Sequence, residues 1–314
     1  MVLAQEVWIE NNLIEGGGRI KAGGIGEKII IKDNIVKNPN DNGITIAIPH
    51  TGPHVISTQY IIKNNFVEKA LGSAIYIGDD GKKETDPNRT GDNIFKSIII
   101  EGNTLIGPGT KLMIYISLAS ETKRIHIVNN IIESRDLTGQ EFTNGILVKI
   151  NESDIGREGS DFLIANNTIS GKFDHGSIWI NQLNNARIVN NQLTSSGARG
   201  LRLHKVTDAV ISGNIIDNCG LGIFVSRNAT GLLFEHNIIK NNSHEGIWLN
   251  TESSDDRIQA QFVNNQISNT ATKLPLMEKG PGVFDTRYFM NSFFNNSMGP
   301  NPDPNDKGRD NLIS

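Results

Sequence analysis

An asparagine recurs along this chain in one fixed setting, at Asn12, Asn34, Asn65, Asn103, Asn130, Asn167, Asn191, Asn214, Asn237, Asn265 and Asn291. An apolar residue stands three positions before every one of them, from Ile9 to Tyr288, and another two positions after, from Ile14 to Phe293. The clearest copies, around Asn191, Asn214 and Asn237, are 23 residues apart. Wider spacings, up to 38 residues between Asn65 and Asn103, mark copies that carry insertions. A period of this length with strand-like alternation and no helical pattern means that no unit buries its apolar face alone, so the core must be a stack of coils. Composition agrees: 45 Ile and 38 Asn, with aromatics at only 6%, suit in-register β-branched columns and amide ladders.

Each copy opens with a half-buried strand of alternating apolar residues that ends at the Asn. We expect that Asn to sit in the left-handed bend itself, because a short amide tolerates the conformation and can bond the turn. Stacked coil on coil, the amides would also bond one another, a structural role rather than a ligand-binding one. A later strand in each copy is led by Gly or a small residue, as in Gly200-Leu-Arg-Leu-His and Gly246-Ile-Trp-Leu-Asn. With Leu201 and Leu203 inward, alternation turns outward the column Thr45, Tyr76, Tyr115, Leu147, Trp179, Arg202, Phe224 and Trp248. The next outward column is Ala47, Gly78, Ser117, Lys149, Asn181, His204, Ser226 and Asn250.

The repeat spans nearly the whole chain, so residues 1–314 are expected to form one domain, with about eleven coils over 7–296 and an irregular tail over 297–314. Insertions fall at 79–93, 151–160, 251–258 and 270–285, where loops could wall a groove along the Gly-led strands. A net charge of −4 without a dense Lys/Arg cluster argues against a nucleic-acid partner. The single Cys219 excludes an intrachain disulfide framework. No run of 18 apolar residues predicts a membrane span, and no charged-then-apolar leader opens the chain. Because a strand is expected already by Val7, a cap and any signal peptide are expected upstream or removed. Oligomeric state is not legible.

Eleven coils with an Asn ladder, three short strands each and long loops on one edge resemble the right-handed parallel β-helix superfamily of pectate lyases and related enzymes. The resemblance covers about Val7 to Asn296. It implies an all-β solenoid, an extracellular, cell-surface or periplasmic setting, and a polysaccharide lying along the outward face of the Gly-led strands. Motifs of its member families are met only in part. Arg19-Ile20-Lys21, Asp79-Asp80 and Asp174-His175-Gly176 are partial, reordered echoes of polygalacturonase-like hydrolases. Asp86-Pro87 matches two residues of a mannuronan-epimerase block.

Within that face the aromatics Tyr76, Tyr115, Trp179, Phe224 and Trp248, with Asn181 and Asn250 beside them, are the candidate sugar-binding residues. Aromatic faces stack on sugar rings; covering loops would be the other reason for them. Trp179 and Trp248 should lie three coils apart, about 14 Å, a span suited to an oligosaccharide. Lys149, His175, Arg199, Arg202 and His204 are the candidate catalytic set. Arg can hold a carboxylate in a fork, and His or Lys can take a proton. Abstracting the C5 proton of a uronate, the first step of β-elimination or epimerisation, needs those two elements. Glycoside hydrolysis would need two carboxylates roughly 5 to 9.5 Å apart, whereas Asp174 and Glu245 fall three coils apart. Asp154 or Glu158 could approach Asp174. No organic cofactor fingerprint or His/Cys zinc pattern occurs; calcium at Asp79, Asp80, Glu84 and Asp86 is open. The expected activity is thus a polyuronate lyase or epimerase. A non-catalytic glycan-binding or assembly solenoid and a glycoside hydrolase are the alternatives.

Overall fold

The computed structural model describes residues 6–23, 27–48, 59–79, 97–107, 112–118, 124–135, 144–150, 161–251, 253, 255–270, 275–280, 283, 286–294 and 312–313. Within them the chain is a right-handed parallel β-helix whose three sheets hold 11, 12 and 10 strands. One sheet takes the strand before each ladder Asn, from Glu6–Glu10 to Arg287–Phe289. The second takes the short strand after it, from Leu13–Gly17 to Ser292–Phe294, with Leu312–Ile313 added at its end. The third takes the Gly-led strands, from Ile20–Gly23 to Leu276–Lys279. Each strand pairs with its counterpart one coil away, so every residue stacks on its equivalent in the repeat, as Ile188 does on Ile164 and Ile211.

The ladder explains why the register does not slip. From Asn12 to Asn291 each amide Nδ2 donates to the next Oδ1 at 2.9 to 3.0 Å, ten bonds without a break. Asn214 is representative. Its Nδ2 also donates to the Ile188 carbonyl at 2.8 Å, and its Oδ1 accepts from the Asn191 backbone N–H at 2.9 Å. Sliding by one residue would orphan these groups and turn every core side chain outward.

The bend itself corrects the expectation drawn from the sequence. Left-handed φ values of 50 to 66° belong to the residue before each ladder Asn, from Asn11 and Asp33 through Gly102 and Gly213 to His236 and Met290. That residue turns the chain. The ladder Asn, free of that task, keeps its Cβ aimed into the stack where its amide can be shared.

Glycines at the start of the Gly-led strands have a packing cause. A Cβ on Gly200, Gly222 or Gly246 would lie 2.4 to 2.6 Å from a methyl of Ile216, Ile239 or Ile267, the core residue two past the ladder Asn of the next coil. Each glycine therefore lets the following coil close onto the third sheet. Inward of it, Ile178, Leu201, Ile223 and Ile247 are wholly buried, and Phe234, Phe262 and Tyr288 stack at 4.7 and 5.1 Å in the last coils.

Candidate functional site

The third sheet turns outward the columns expected of it. Thr45, Tyr76, Tyr115, Leu147, Trp179, Arg202, Phe224 and Trp248 are successive register partners, and so are Ser117, Lys149, Asn181, His204, Ser226 and Asn250. Contacts divide the first column in two. Tyr76 and Tyr115 pack together with ring centroids 5.4 Å apart; Leu147, nearly buried, separates them from Trp179.

Beyond Leu147 the side chains form one cluster. The Arg202 guanidinium lies over the Trp179 ring at 4.1 Å and reaches Phe224 at 5.9 Å from the other side of its strand. Arg199 covers Phe224 at 4.9 Å, and Phe224 meets Trp248 edge-on at 5.3 Å. His175, exposed, meets the Trp179 ring at 5.8 Å. Stacking spends the face of a guanidinium and leaves its N–H edge for an anion. His204 Nδ1 lies 3.0 Å from Ser226 Oγ. Lys149 is exposed beside Asn181, and Asn250 pairs in register with Ser226.

Several polar atoms of the Gly-led strands are shielded without being satisfied. Trp179 Nε1, Trp248 Nε1, Asn181 Oδ1, Thr45 Oγ1, Arg199 Nε and both amide atoms of Asn144 have no hydrogen-bond partner among the described residues. Outside the Gly-led strands only Ser97, Asn242 and Thr286 share that state among them. Buried polar atoms are ordinarily paired, so a concentration of unpaired ones marks a surface built for something other than its own stability. Arg199 makes no ion pair among the described residues, and burial holds its guanidinium below its ordinary pKa while leaving it a cation at neutral pH.

The acidic sequence candidates lie apart from this cluster or outside the described residues. Asp174 is exposed and Glu245 is buried at the lead-in to Ile247–Asn250. Asp80, Glu84, Asp86, Asp154 and Glu158 lie outside the described residues, as do most of the inserted loops. Two residues outside the sequence-derived candidate set stand out on these strands, Ser226 as the partner of His204 and Asn144 as a buried unpaired amide. Asn144 was detectable as the residue in register with Gly176. A separate charged group, Asp161 with His126 at 2.9 Å and Arg187 at 3.2 Å, sits on the sheet that precedes the ladder.

A family described as "Right handed beta helix region" matches residues 116–267. Among solved structures, the A-module of a mannuronan C-5 epimerase from Azotobacter vinelandii aligns with a TM-score of 0.57 at 12% identity over 98% of this chain and 91% of its own. Endopolygalacturonase I from Stereum purpureum, complexed with two galacturonates, aligns with a TM-score of 0.55 at 13% identity over 98% and 95%. The catalytic domain of an α-1,3-glucanase in complex with tetrasaccharides aligns with a TM-score of 0.55 at 11% identity over 99% of this chain and 64% of its own. At these identities the likeness is one of fold. No curated protein sequence matches the chain.

Proposed function

We propose, from the premise that the chain is a member of the right-handed parallel β-helix superfamily, that it is a carbohydrate-active enzyme that takes the C5 proton from uronate residues of an acidic polysaccharide. The observation that carries this reading is the pair of stacked guanidiniums, Arg199 and Arg202, on a face where shielded polar atoms lack partners. Relatives in fold that act on mannuronan or hold galacturonate support it, and the glucanase shows that the fold also serves neutral chains. Polymers of this kind lie outside the cytoplasm, which agrees with an extracellular, cell-surface or periplasmic protein.

Arg202 receives the substrate carboxylate on its N–H edge and neutralises it, which makes the neighbouring C5 proton acidic. His204 is the base. In the tautomer with its proton on Nδ1, 3.0 Å from Ser226 Oγ, the imidazole takes the C5 hydrogen at Nε2. Charge left on the carboxylate then collapses: either the C4–O4 bond breaks as the C4–C5 double bond forms and the departing oxygen takes a proton from water, or C5 takes a proton from water on the opposite face of the ring, and His204 returns its proton to solvent. Trp179, Phe224 and Trp248 line the path of the chain.

A panel of polyuronates tests this, with ultraviolet absorbance reporting elimination and exchange of C5 hydrogen in heavy water reporting epimerisation. On a turned-over polymer His204→Ala lowers kcat about 10²- to 10⁴-fold with little change in KM, because the proton transfer belongs to the transition state. Arg202→Ala impairs both. Full activity of both His204→Ala and His175→Ala would remove the assignment, and binding without turnover by the parent would make the chain a glycan-binding module.

A further inference from the structure

Asn144, Gly176 and Arg199 follow one another at the start of three consecutive Gly-led strands. Asn144 pairs in register with Gly176, and a Cβ on Gly176 would lie 3.6 Å from Arg199 Cβ and 3.1 Å from its carbonyl. Having no side chain, Gly176 leaves a notch between the other two. Two strand spacings, about 9.6 Å, separate the Cα atoms across it, close to the width of a pyranose ring with its substituents. His175 and Trp179 stand beside it on the same strand segment.

The side chains on either side of the notch are both incomplete. Asn144 is 1% exposed, yet neither Nδ2 nor Oδ1 has a hydrogen-bond partner among the described residues; Arg199 Nε is in the same state, and its guanidinium makes no ion pair among them. A buried amide that bonds nothing destabilises the fold that contains it, and an apolar side chain of the same shape would cost less. The ladder shows what this chain does with asparagines it needs for stability: it bonds them on both sides. Asn144 is therefore retained for a group that arrives from outside.

We infer that Asn144 and Arg199 form a second uronate subsite across Gly176, with the carboxylate on Arg199 and an adjacent pair of ring hydroxyls on Asn144. The inference rests on the polyuronate reading above. A carboxylate offers only acceptors and would leave Asn144 Oδ1 facing negative charge. Two neighbouring hydroxyls use the amide fully, one accepting from Nδ2 and the other donating to Oδ1. The Arg199 arm, whose Cβ is the nearest side-chain atom to the notch, runs from there to lie over Phe224. This subsite explains why Arg199 is kept next to Arg202 at the cost of like-charge repulsion: each guanidinium serves its own sugar residue.

The test uses tetrauronides of galacturonate and of mannuronate, each also in a form O-acetylated at the ring hydroxyls, titrated into the full chain by calorimetry. The parent binds one unmodified series and loses about tenfold or more on acetylation. Asn144→Leu keeps or raises Tm without ligand, weakens binding of the unmodified probe about tenfold or more, and discriminates poorly against the acetylated form. Asn144→Asp, which keeps the shape and loses the donor, gives the same loss and serves if the leucine variant does not fold. Equal affinity of parent and variant, or an acetylation penalty that the substitution leaves intact, overturns the subsite alone. Failure of the parent to bind any probe overturns the polyuronate reading and the subsite with it.

Discussion

Asn191 and Asn144 are the same residue, equally buried, on the same solenoid, and they are treated oppositely. At the ladder corner Asn191 donates to Asn214 Oδ1 at 3.0 Å and to the Ile164 carbonyl at 2.9 Å, and accepts from Asn167 on the coil before. At the start of a Gly-led strand Asn144 bonds nothing among the described residues. Paired amides at the corner hold the coils in register, so the face opposite is free to carry polar groups that the fold does not need. On the proposed reading stability and recognition are separated in space, which a repeat with one strongly bonded column permits.

The largest effect is expected where the pairing is richest. Asn214→Ala, in mid-ladder, removes the acceptor of the Asn191 amide and backbone N–H, one of two donors to Asn237 Oδ1 and a donor to two carbonyls, and should cost about 1 to 3 kcal/mol by urea unfolding. Asn12→Ala, on the exposed first coil, should cost under about 0.5 kcal/mol. Equal losses at both positions would mean that burial of the ladder is not what gives it weight.

On the opposite face the sign of the dependence reverses. Trp179→Ala and Trp248→Ala should each weaken binding of a uronate oligosaccharide about tenfold, near 1.4 kcal/mol, with Tm nearly unchanged. A drop in Tm with affinity intact would make the column packing, and the comparison would fail.

The charged group on the sheet before the ladder is the weakest case. Burial opposes ionisation of Asp161, but the hydrogen bonds and charges of His126 and Arg187 outweigh it and hold the carboxyl below its ordinary range. Its depressed pKa contributes stability above the unfolded-state value, about 3.9, that is lost as pH falls through the folded one. The groups are part-exposed and screened, so Asp161→Asn should cost no more than about 0.5 kcal/mol near neutral pH, and less at pH 3. A cost that grows on acidification would contradict the pairing.

Much of this molecule was legible before its coordinates because a solenoid writes its contacts into its period. The Asn spacing and the two apolar columns determine the coil count, the ladder and which faces of the Gly-led strands turn outward, since each residue's neighbour is its own equivalent one repeat away. That logic stops at identities that do not repeat. It could name Arg202 and Trp179 as neighbours but not that the guanidinium lies over the indole, nor that Leu147 interrupts the aromatics. Nor could it locate the left-handed residue one position before the ladder Asn, because both are often Asn, as at Asn64 and Asn65. Whether a buried amide is paired depends on atoms supplied by other coils, across insertions of unequal length. For Asn191 they are there and for Asn144 they are not, a difference that only tertiary packing decides.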